Sequence, residues 1–330
     1  MPEWRYEAGI GETRAALVEG GTLLEMAVEP DSAAYRAGAI LAARLVRKPD
    51  GSGRGRVAVD GGGEAEIVAL PGGMTEGARL LVEVVREALP EADRVKPLRV
   101  RPAAVGAVPA PGPDLLARLA ASGLPWRHAH PGELEAHGWS EALEEAASGI
   151  VARPDAMLRI SLTPAMTLID VDGVGVPAAL ARAGARIAGE AIRRFGIAGS
   201  IGIDLPTLAA RADRQAAAAA IDAVVPQPFE RTAVNGFGFL QLVRRRMRPS
   251  LMEQIAADPV GAATRALLAA GERASGRGGL TLVAAVDVVA RLEARPDWRE
   301  TLARRIGAPV LLKPDPARAI SAGHAQRDHP

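Results

Sequence analysis

The sequence contains no cysteine, only three lysines, and few aromatic residues, at 3% of the chain. Without cysteine the chain forms no disulfide, carries no thiolate nucleophile and builds no cysteine-based zinc site. No apolar run approaches the roughly 18 residues of a membrane-spanning helix. The N-terminal residues MPEWRYEAG lack the basic and apolar segments of a secretory signal. We therefore expect a cytoplasmic protein with no membrane partner.

The composition that remains is that of a globular protein. The 330 residues suggest about two or three domains, and 48% apolar with 24% charged residues argues against disorder. A net charge of +1 gives no overall basic field, so any contact with nucleic acid must come from local clusters. Arginine supplies all but three of the 40 basic residues. This preference suits bidentate phosphate binding, although a GC-rich genome explains it more simply.

Short strands dominate the first hundred residues. Residues 12–30 predict a hairpin that turns at Gly20-Gly21. Five strand-like runs between residues 39 and 102, separated by Gly- and Pro-rich turns, predict a small barrel such as an OB-fold. The run VGAVPAPGPD, residues 105–114, predicts a linker.

Helices and strands alternate in the rest of the chain, which predicts a mixed or parallel sheet covered by helices. Residues 157–170 are expected to be extended, followed by a long helix over about 177–195 and a strand at 199–204. A further helix is expected to start at Pro206, and another to run over residues 237–247.

Two apolar runs end in aspartate. MTLID closes with Asp170 and SIGID with Asp204, and Asp172 follows two residues after Asp170, on the same side of a strand. Ligands of α/β sheets bind beyond the carboxyl ends of strands, and the helix between these runs would let the two strands lie side by side. Carboxylates held close together repel, and a hard cation such as Mg²⁺ relieves that repulsion. The alternative is that both aspartates simply begin turns.

A basic segment, RRRMRPSL at residues 244–251, closes the predicted helix 237–247. On a helix Arg244 and Arg248 share a face and could hold a phosphodiester backbone. Equally, cations are favoured at any helix C-terminus through the helix dipole. In NGFGFLQL, Phe237 could stack on a base, although burial in the core is the more usual place for a phenylalanine.

The order of these segments resembles the ribonuclease E/G family. TPAMTLIDVDG is similar to that family's segment closing in EALTAIDVNSG, and AGSIGIDL to its GGLIVIDF strand. AVNGFGFLQLVRRRMRPSL, residues 233–251, is similar to ISRFGLLEMTRQRLRPSL nearly position by position. GETRAALVEGGTLLEMAVE resembles the family's opening strands. The resemblance covers most of the chain; it is specific across residues 130–251 and loose elsewhere.

The resemblance implies an endoribonuclease that hydrolyses single-stranded RNA with Mg²⁺, or Mn²⁺ in its place, and leaves a 5′-phosphate. It implies that Asp170 and Asp204 bind the metal, and that Asp172 stands at a catalytic position where the family usually has an asparagine. A homo-oligomer is one form that such a protein could take. The positions to which we assign RNA binding are Arg99, Arg101, Phe237, Arg244, Arg246 and Arg248.

The chain also departs from the family. The paired-cysteine zinc link is missing, so no zinc is expected, and no segment corresponds to the insert that senses an RNA 5′-monophosphate. Residues 36–125 contain no aromatic side chain, so the predicted barrel lacks the stacking platform usual in RNA binders. The sequence DGVGVP stands where the family has a basic turn after the first acid.

These observations predict an α/β (α+β) fold in five parts. The parts are residues 1–35, a β-hairpin packing with an RNase H-like segment; 36–104, an inserted OB/S1-like barrel; 105–160, linker and RNase H-like segment; 161–251, a catalytic α/β domain with the metal-binding aspartates; and 252–330, a small α/β domain. The predicted function is Mg²⁺-dependent cleavage of single-stranded RNA in processing or decay. The alternative is a catalytically degenerate paralogue that binds RNA or regulates. A small-molecule phosphohydrolase is less favoured, because nothing here recognises a nucleotide base.

Overall fold

The chain is a mixed α/β protein whose computed structural model describes residues 1–32, 35–51, 53–91 and 94–329. The strands in these residues are β1 (Glu3–Ala8), β2 (Glu12–Glu19), β3 (Thr22–Pro30), β4 (Ile40–Arg47), β5 (Arg54–Val59), β6 (Glu64–Val68), β7 (Arg79–Arg86), β8 (Leu89–Pro90), β9 (Val95–Lys96), β10 (Leu98–Pro102), β11 (Trp126–His128), β12 (Ile150–Arg153), β13 (Ala156–Leu162), β14 (Thr167–Asp172), β15 (Gly199–Asp204), β16 (Glu230–Arg231), β17 (Phe239–Arg244), β18 (Arg277–Ala284), β19 (Val310–Pro314) and β20 (His324–His329). The helices are α1 (Leu115–Ala120), α2 (Glu133–Ala136), α3 (Trp139–Ser148), α4 (Pro177–Arg194), α5 (Arg211–Asp222), α6 (Leu251–Ala257), α7 (Pro259–Arg273), α8 (Val286–Glu293) and α9 (Pro296–Ile306).

The chain divides into two units, and it passes between them four times. Residues 1–32, 123–148 and 254–330 form the first unit, and residues 33–122 and 149–253 form the second. Each unit is therefore assembled from segments that lie far apart in sequence. The predicted boundary at residues 35/36 directly follows residues 33 and 34, which lie outside the described residues. The five-part division of the chain stays a prediction.

A closed five-stranded barrel forms the first part of the second unit. Its strand order is β10-β6-β5-β4-β7, and β10 with β6 is the parallel pair while the other neighbours are antiparallel. Side chains alternate along each strand, and the inward set packs as one apolar core that includes Leu45, Val57, Ile67, Val82 and Val100. The predicted small barrel is confirmed at this level.

A six-stranded sheet forms the rest of the second unit, with the order β12-β13-β14-β15-β17-β16. Strands β14 and β15 run parallel, because α4 carries the chain back between them, and the other neighbours are antiparallel. Helix α4 packs on β13 and β14, and α5 packs on α4. One face of the sheet is therefore covered by helices. Outward side chains of the opposite face, such as Leu168 and Val243, remain exposed.

Two predicted elements of this unit are wrong, and a third is confirmed except for a turn in its middle. The extended run 157–170 is two antiparallel strands, β13 and β14, because the backbone turns at residues 163–166, where the Thr163 hydroxyl donates to the Met166 carbonyl. The helix expected from Pro206 begins only at Arg211. The helix expected over 237–247 is strand β17, in which Leu240 and Leu242 are fully buried at a spacing of two.

The first unit contains two sheets. The order β11-β1-β2-β3 includes the predicted hairpin, in which Gly20 and Gly21 both have positive φ. The order β19-β18-β20 forms the second sheet, and α7, α8 and α9 share its apolar core together with Ile10. A buried ion pair joins distant parts of the chain, because Arg265 Nε donates to Glu12 at 2.8 Å. No helix among the described residues has the length and apolar character that crossing a membrane requires.

Candidate metal centre on an open sheet face

The two strand-end aspartates are direct neighbours across parallel strands. In the register of β14 and β15, Asp170 pairs with Asp204. Neighbouring strands lie about 4.8 Å apart, and side chains at paired positions point to the same face. The expectation that the two runs lie side by side with their acids adjacent is confirmed.

The alternation of β14 places these acids on the open face of the sheet. Thr167, Ile169 and Val171 are buried beneath the helices, while Asp170 and Asp172 face outward. Asp172 thus shares the face of Asp170, as its spacing predicts. Three carboxylates therefore lie together at the carboxyl edge of two adjacent strands.

Helix α4 is brought close to β14 by a glycine. A Cβ on Gly184 would overlap Cγ1 of Val171, the residue between Asp170 and Asp172. Pro177 occupies the first turn of the helix, where its missing N–H costs nothing. The apolar stripe of α4 thus supports the strand that presents the acids.

The acids repel one another. Partial burial, followed by the negative charges of Asp172 and Asp204, raises the pKa of Asp170, while the nearby Arg159 opposes the rise. A bound cation would remove this repulsion, since it favours the ionised form of every carboxylate around it.

Arg159 is a component of the site that the sequence did not indicate. It is the cross-strand partner of Asp170 on β13, and its Nε lies 3.6 Å from an Asp172 carboxylate oxygen. Both side chains are more than half exposed, at 56% and 52%. Nothing in the local sequence of β13 marks this arginine, because its proximity depends on the register between two strands.

The carboxylates of Asp170 and Asp204 suit a hard cation that takes few of its ligands from the protein. Among the described residues, no group of three or more His, Cys, Asp or Glu side chains is arranged to hold a metal ion. A metal ion bound here would therefore have only the two carboxylates of Asp170 and Asp204 as direct protein ligands, with water at its other positions. This is the usual arrangement for Mg²⁺, which keeps several waters.

An exposed aromatic ring lies at the same edge of the sheet. Phe237 is 82% exposed, so the burial that is usual for a phenylalanine does not occur here. It lies two residues before Phe239, the cross-strand partner of Asp204. The Asn235 side chain accepts hydrogen bonds from the backbone N–H groups of both phenylalanines, at 2.9 and 3.0 Å. The ring is thus presented by an ordered turn.

Gly238 lets this turn pack closely against the segment that follows Asp204. Its φ is +95°, and a Cβ there would overlap the carbonyl oxygen of Leu205. The Leu205 N–H also donates to the Gly238 carbonyl at 3.2 Å. The position of the Phe237 ring is therefore tied to the strand that carries Asp204.

The arginines of residues 244–248 do not join the acids. Arg244 pairs with Gly199, at the opposite end of β15 from Asp204, about 17 Å away along the strand. Its guanidinium donates to the carbonyl of Ile197 at 3.0 Å, just beyond the C-terminus of α4. Arg246 pairs with Glu253 and Arg248 Nε lies 3.7 Å from Glu87. Since the segment is strand and loop, the predicted sharing of one helix face by Arg244 and Arg248 is wrong.

The two barrel arginines lie on the outer surface of β10. Arg99 Nε donates to Glu66 at 2.8 Å, and Arg101 Nε donates to Glu83 at 2.9 Å. The assignment of RNA binding to these arginines stays a prediction. The structure places Asp170, Asp172, Asp204 and Phe237 at one edge of the sheet, and Arg244 at the other end of β15.

No protein-family model matches this chain, and a comparison with curated proteins found no match.

Proposed function

We propose that the protein is a Mg²⁺-dependent endoribonuclease that cleaves single-stranded RNA and leaves 5′-phosphate products. The observation that carries the proposal is the parallel pairing of Asp170 with Asp204 on an open, solvent-accessible sheet face. An exposed face admits a polymer, which an enclosed cavity does not. The resemblance of residues 130–251 to the ribonuclease E/G family supports the same activity.

Each residue of the site has a role in this proposal. Asp170 and Asp204 would hold the metal, and Asp172 would add negative charge beside it. A bound Mg²⁺ supplies charge neutralisation at the scissile phosphate and lowers the pKa of a coordinated water. Arg159, beside the acids, would contact a phosphate oxygen. Phe237 would stack on an unpaired base, an interaction open to every base because each has a π-face.

We also propose finer assignments for the architecture. The barrel order, with one parallel pair closing an otherwise antiparallel ring, supports an OB/S1-like barrel. The sheet β11-β1-β2-β3, which contains both parallel and antiparallel pairs, would belong to the RNase H-like segment.

A second candidate function is RNA binding without cleavage. The ion pair between Arg159 and Asp172 favours it, because a built-in cation already offsets one of the three carboxylates. In such a protein the acid cluster would no longer need a metal.

The deciding experiment incubates the protein with an end-labelled single-stranded RNA in Mg²⁺ and in EDTA. We expect cleavage only with Mg²⁺, and no cleavage by Asp170→Asn or Asp204→Asn. Asp287→Asn, which changes an exposed acid in the first turn of α8, is the matched control and should cleave normally. RNA binding with no Mg²⁺-dependent cleavage would favour the second candidate, and undiminished cleavage by either acid variant would exclude the proposed site.

A further inference from the structure

Three arginines of the barrel lie around one carboxylate. Glu66 on β6 accepts a hydrogen bond from Arg99 Nε at 2.8 Å, and its same oxygen lies 3.7 Å from Arg54 Nε. Arg86 on β7 is the direct cross-strand partner of Arg99. Like charges at directly opposed positions of a sheet are destabilising. One carboxylate thus serves three guanidinium groups.

Arg86 has one nitrogen that makes a hydrogen bond and, within the part of the chain that the structure describes, one that does not. One terminal nitrogen donates to the Pro97 carbonyl at 2.9 Å, but Nε is buried and has no hydrogen-bond partner among the described residues. Burial, followed by the positive charge of Arg99, lowers the pKa of Arg86, and Arg246 and Arg54 lower it further. Glu66 is the group that opposes them.

Arg246 approaches Arg86 from the loop that follows β17, because the N–H of Glu87, next to Arg86, donates to the carbonyl of Met247, next to Arg246, at 2.8 Å. Its side chain packs against Gly199 and pairs with Glu253. Its Nε is also buried and lacks a hydrogen-bond partner among the described residues. An unmade hydrogen bond at a buried charged donor is expensive, and both Arg86 and Arg246 have such a donor among the described residues.

We propose that Arg54, Arg86, Arg99 and Arg246, here called the barrel arginine cluster, bind a phosphate group. Among the described residues, these four guanidinium groups lie close to two carboxylates, Glu66 and Glu253, which leaves an excess of two positive charges there. This excess matches a phosphate dianion or two successive phosphodiesters. The guanidinium fork matches the oxygens of phosphate bidentately.

The phosphate can come from two sources. One is the backbone of a single-stranded RNA, in which case the inference rests on the proposed function. The other is a free phosphate or a small phosphate ester. The cluster lies at the end of the sheet that begins with Gly199, away from Asp204, so it would hold RNA at a distance from the cleavage site and take no part in the reaction.

The test measures binding in the Asp170→Asn protein without Mg²⁺, so that it does not depend on cleavage. Inorganic phosphate is added at constant ionic strength against chloride, and thermal unfolding is recorded. We expect phosphate to raise the Tm, and Arg86→Gln and Arg99→Gln to lose most of that rise. If these two variants fold poorly, Arg54→Gln takes their place in the test, because Arg54 is exposed. Arg231→Gln, whose arginine has its own carboxylate in Asp222, should keep the rise.

The second arm titrates a labelled single-stranded RNA across a salt series. If RNA is the source, Arg99→Gln should bind roughly tenfold more weakly or worse, and its salt slope should fall by about 0.7 per lost contact. A phosphate effect without an RNA effect supports the site and assigns it to a small ligand. Equal Tm values in phosphate and chloride, with RNA binding unchanged in the variants, would overturn the inference. Cleavage that fails while phosphate binding persists would remove the proposed function and leave the site standing.

Discussion

At the scale of single residues, the acid site combines a favourable position with unfavourable electrostatics. Partial burial, followed by the negative charges of Asp172 and Asp204, raises the pKa of Asp170. The folded chain therefore carries a repulsion that the unfolded chain lacks. In the proposed function, a bound cation would remove this repulsion.

This repulsion predicts how an amide substitution acts without metal. Asp170→Asn removes one of three like charges and should raise the Tm of the metal-free protein at neutral pH. Mg²⁺ should raise the Tm of the wild type and have little effect on the variant. Thermal unfolding in EDTA and in Mg²⁺ measures both effects. A lower Tm for the variant in EDTA would mean that Asp170 makes a stabilising contact that outweighs the repulsion.

Asp172 and Arg159 should shift the metal requirement in opposite directions. Asp172→Asn removes a negative charge beside the metal, so half-maximal activity should need more Mg²⁺. Arg159→Gln removes the cation that offsets Asp172, so it should need less. Each shift should be about fivefold at most, because exposed pairs contribute roughly 0.2–1 kcal/mol. Mg²⁺ titrations of cleavage provide the measurement, with Arg231→Gln as control; shifts of the same sign would contradict this account.

Phe237 predicts a loss of affinity without a loss of stability. Since the ring is 82% exposed, Phe237→Ala should leave the Tm unchanged. Removing a stacking platform weakens binding by about 1–3 kcal/mol per base, or roughly tenfold or more. Phe237→Trp should keep the affinity, and its fluorescence should be quenched by single-stranded RNA. Val174→Ala, at an exposed apolar position that follows β14, is the control. Unchanged RNA affinity with a changed oligomeric state would show that the ring contacts a second copy instead.

At the scale of elements, the turn before β17 determines the geometry around Asp204 as much as the strand itself does. It orients Phe237 and seats the strand beside Asp204, and it depends on a glycine with φ +95°. A side chain there would meet the Leu205 carbonyl. The geometry of the acid edge is therefore sensitive to a residue that carries no chemistry.

Two neighbouring glycines allow a matched test of this turn. Gly238→Ala should lower the free energy of unfolding by about 1–3 kcal/mol, the usual cost of a strained backbone. Gly236→Ala should change it little, because a Cβ there meets no atom within 4 Å. Chemical denaturation of both variants measures the difference. Equal stability would show that the segment after Asp204 shifts freely.

The local pattern predicted the elements that carry the acids, but not the one beside them. For β14, β15 and α4 the apolar runs, the terminal aspartates and Pro177 all indicate the same structure. In β17 the run FLQLVR suits a helix or a strand, and the arginines beyond it suggested a helix end. Its conformation is decided by pairing with β15, which is a tertiary contact. The same holds for Arg159, whose place beside the acids depends on the register between β13 and β14.

At the scale of the whole molecule, stability depends on contacts between segments distant in sequence. Glu12 and Arg265 are buried together in the first unit, and burial raises the pKa of Glu12 although Arg265 opposes it. Removing one partner of a buried pair leaves an uncompensated charge, which costs about 3–5 kcal/mol. The pair thus joins the N-terminal and C-terminal segments of one unit.

Arg265→Met should lower the free energy of unfolding by about that amount, and Glu12→Gln in the same chain should restore much of it. The loss should grow with pH. Because the pKa of Glu12 is higher in the folded than in the unfolded chain, stability falls as pH rises through the interval between the two values. Denaturation at mildly acidic and neutral pH tests this. A double variant no more stable than Arg265→Met would show that Asp258, 3.8 Å from Arg265, is the partner that matters.

Because the chain passes four times between the units, the two units can be completed only at different times during synthesis. Residues 1–32 leave the ribosome first, yet the last segment of their unit begins only at residue 254. At about 5–20 residues per second, that segment starts to emerge roughly 10 to 45 s later. The second unit, complete at residue 253, can fold in the meantime. The nascent N-terminal hairpin, whose Ala15 and Leu17 are later fully buried, must stay soluble throughout that interval.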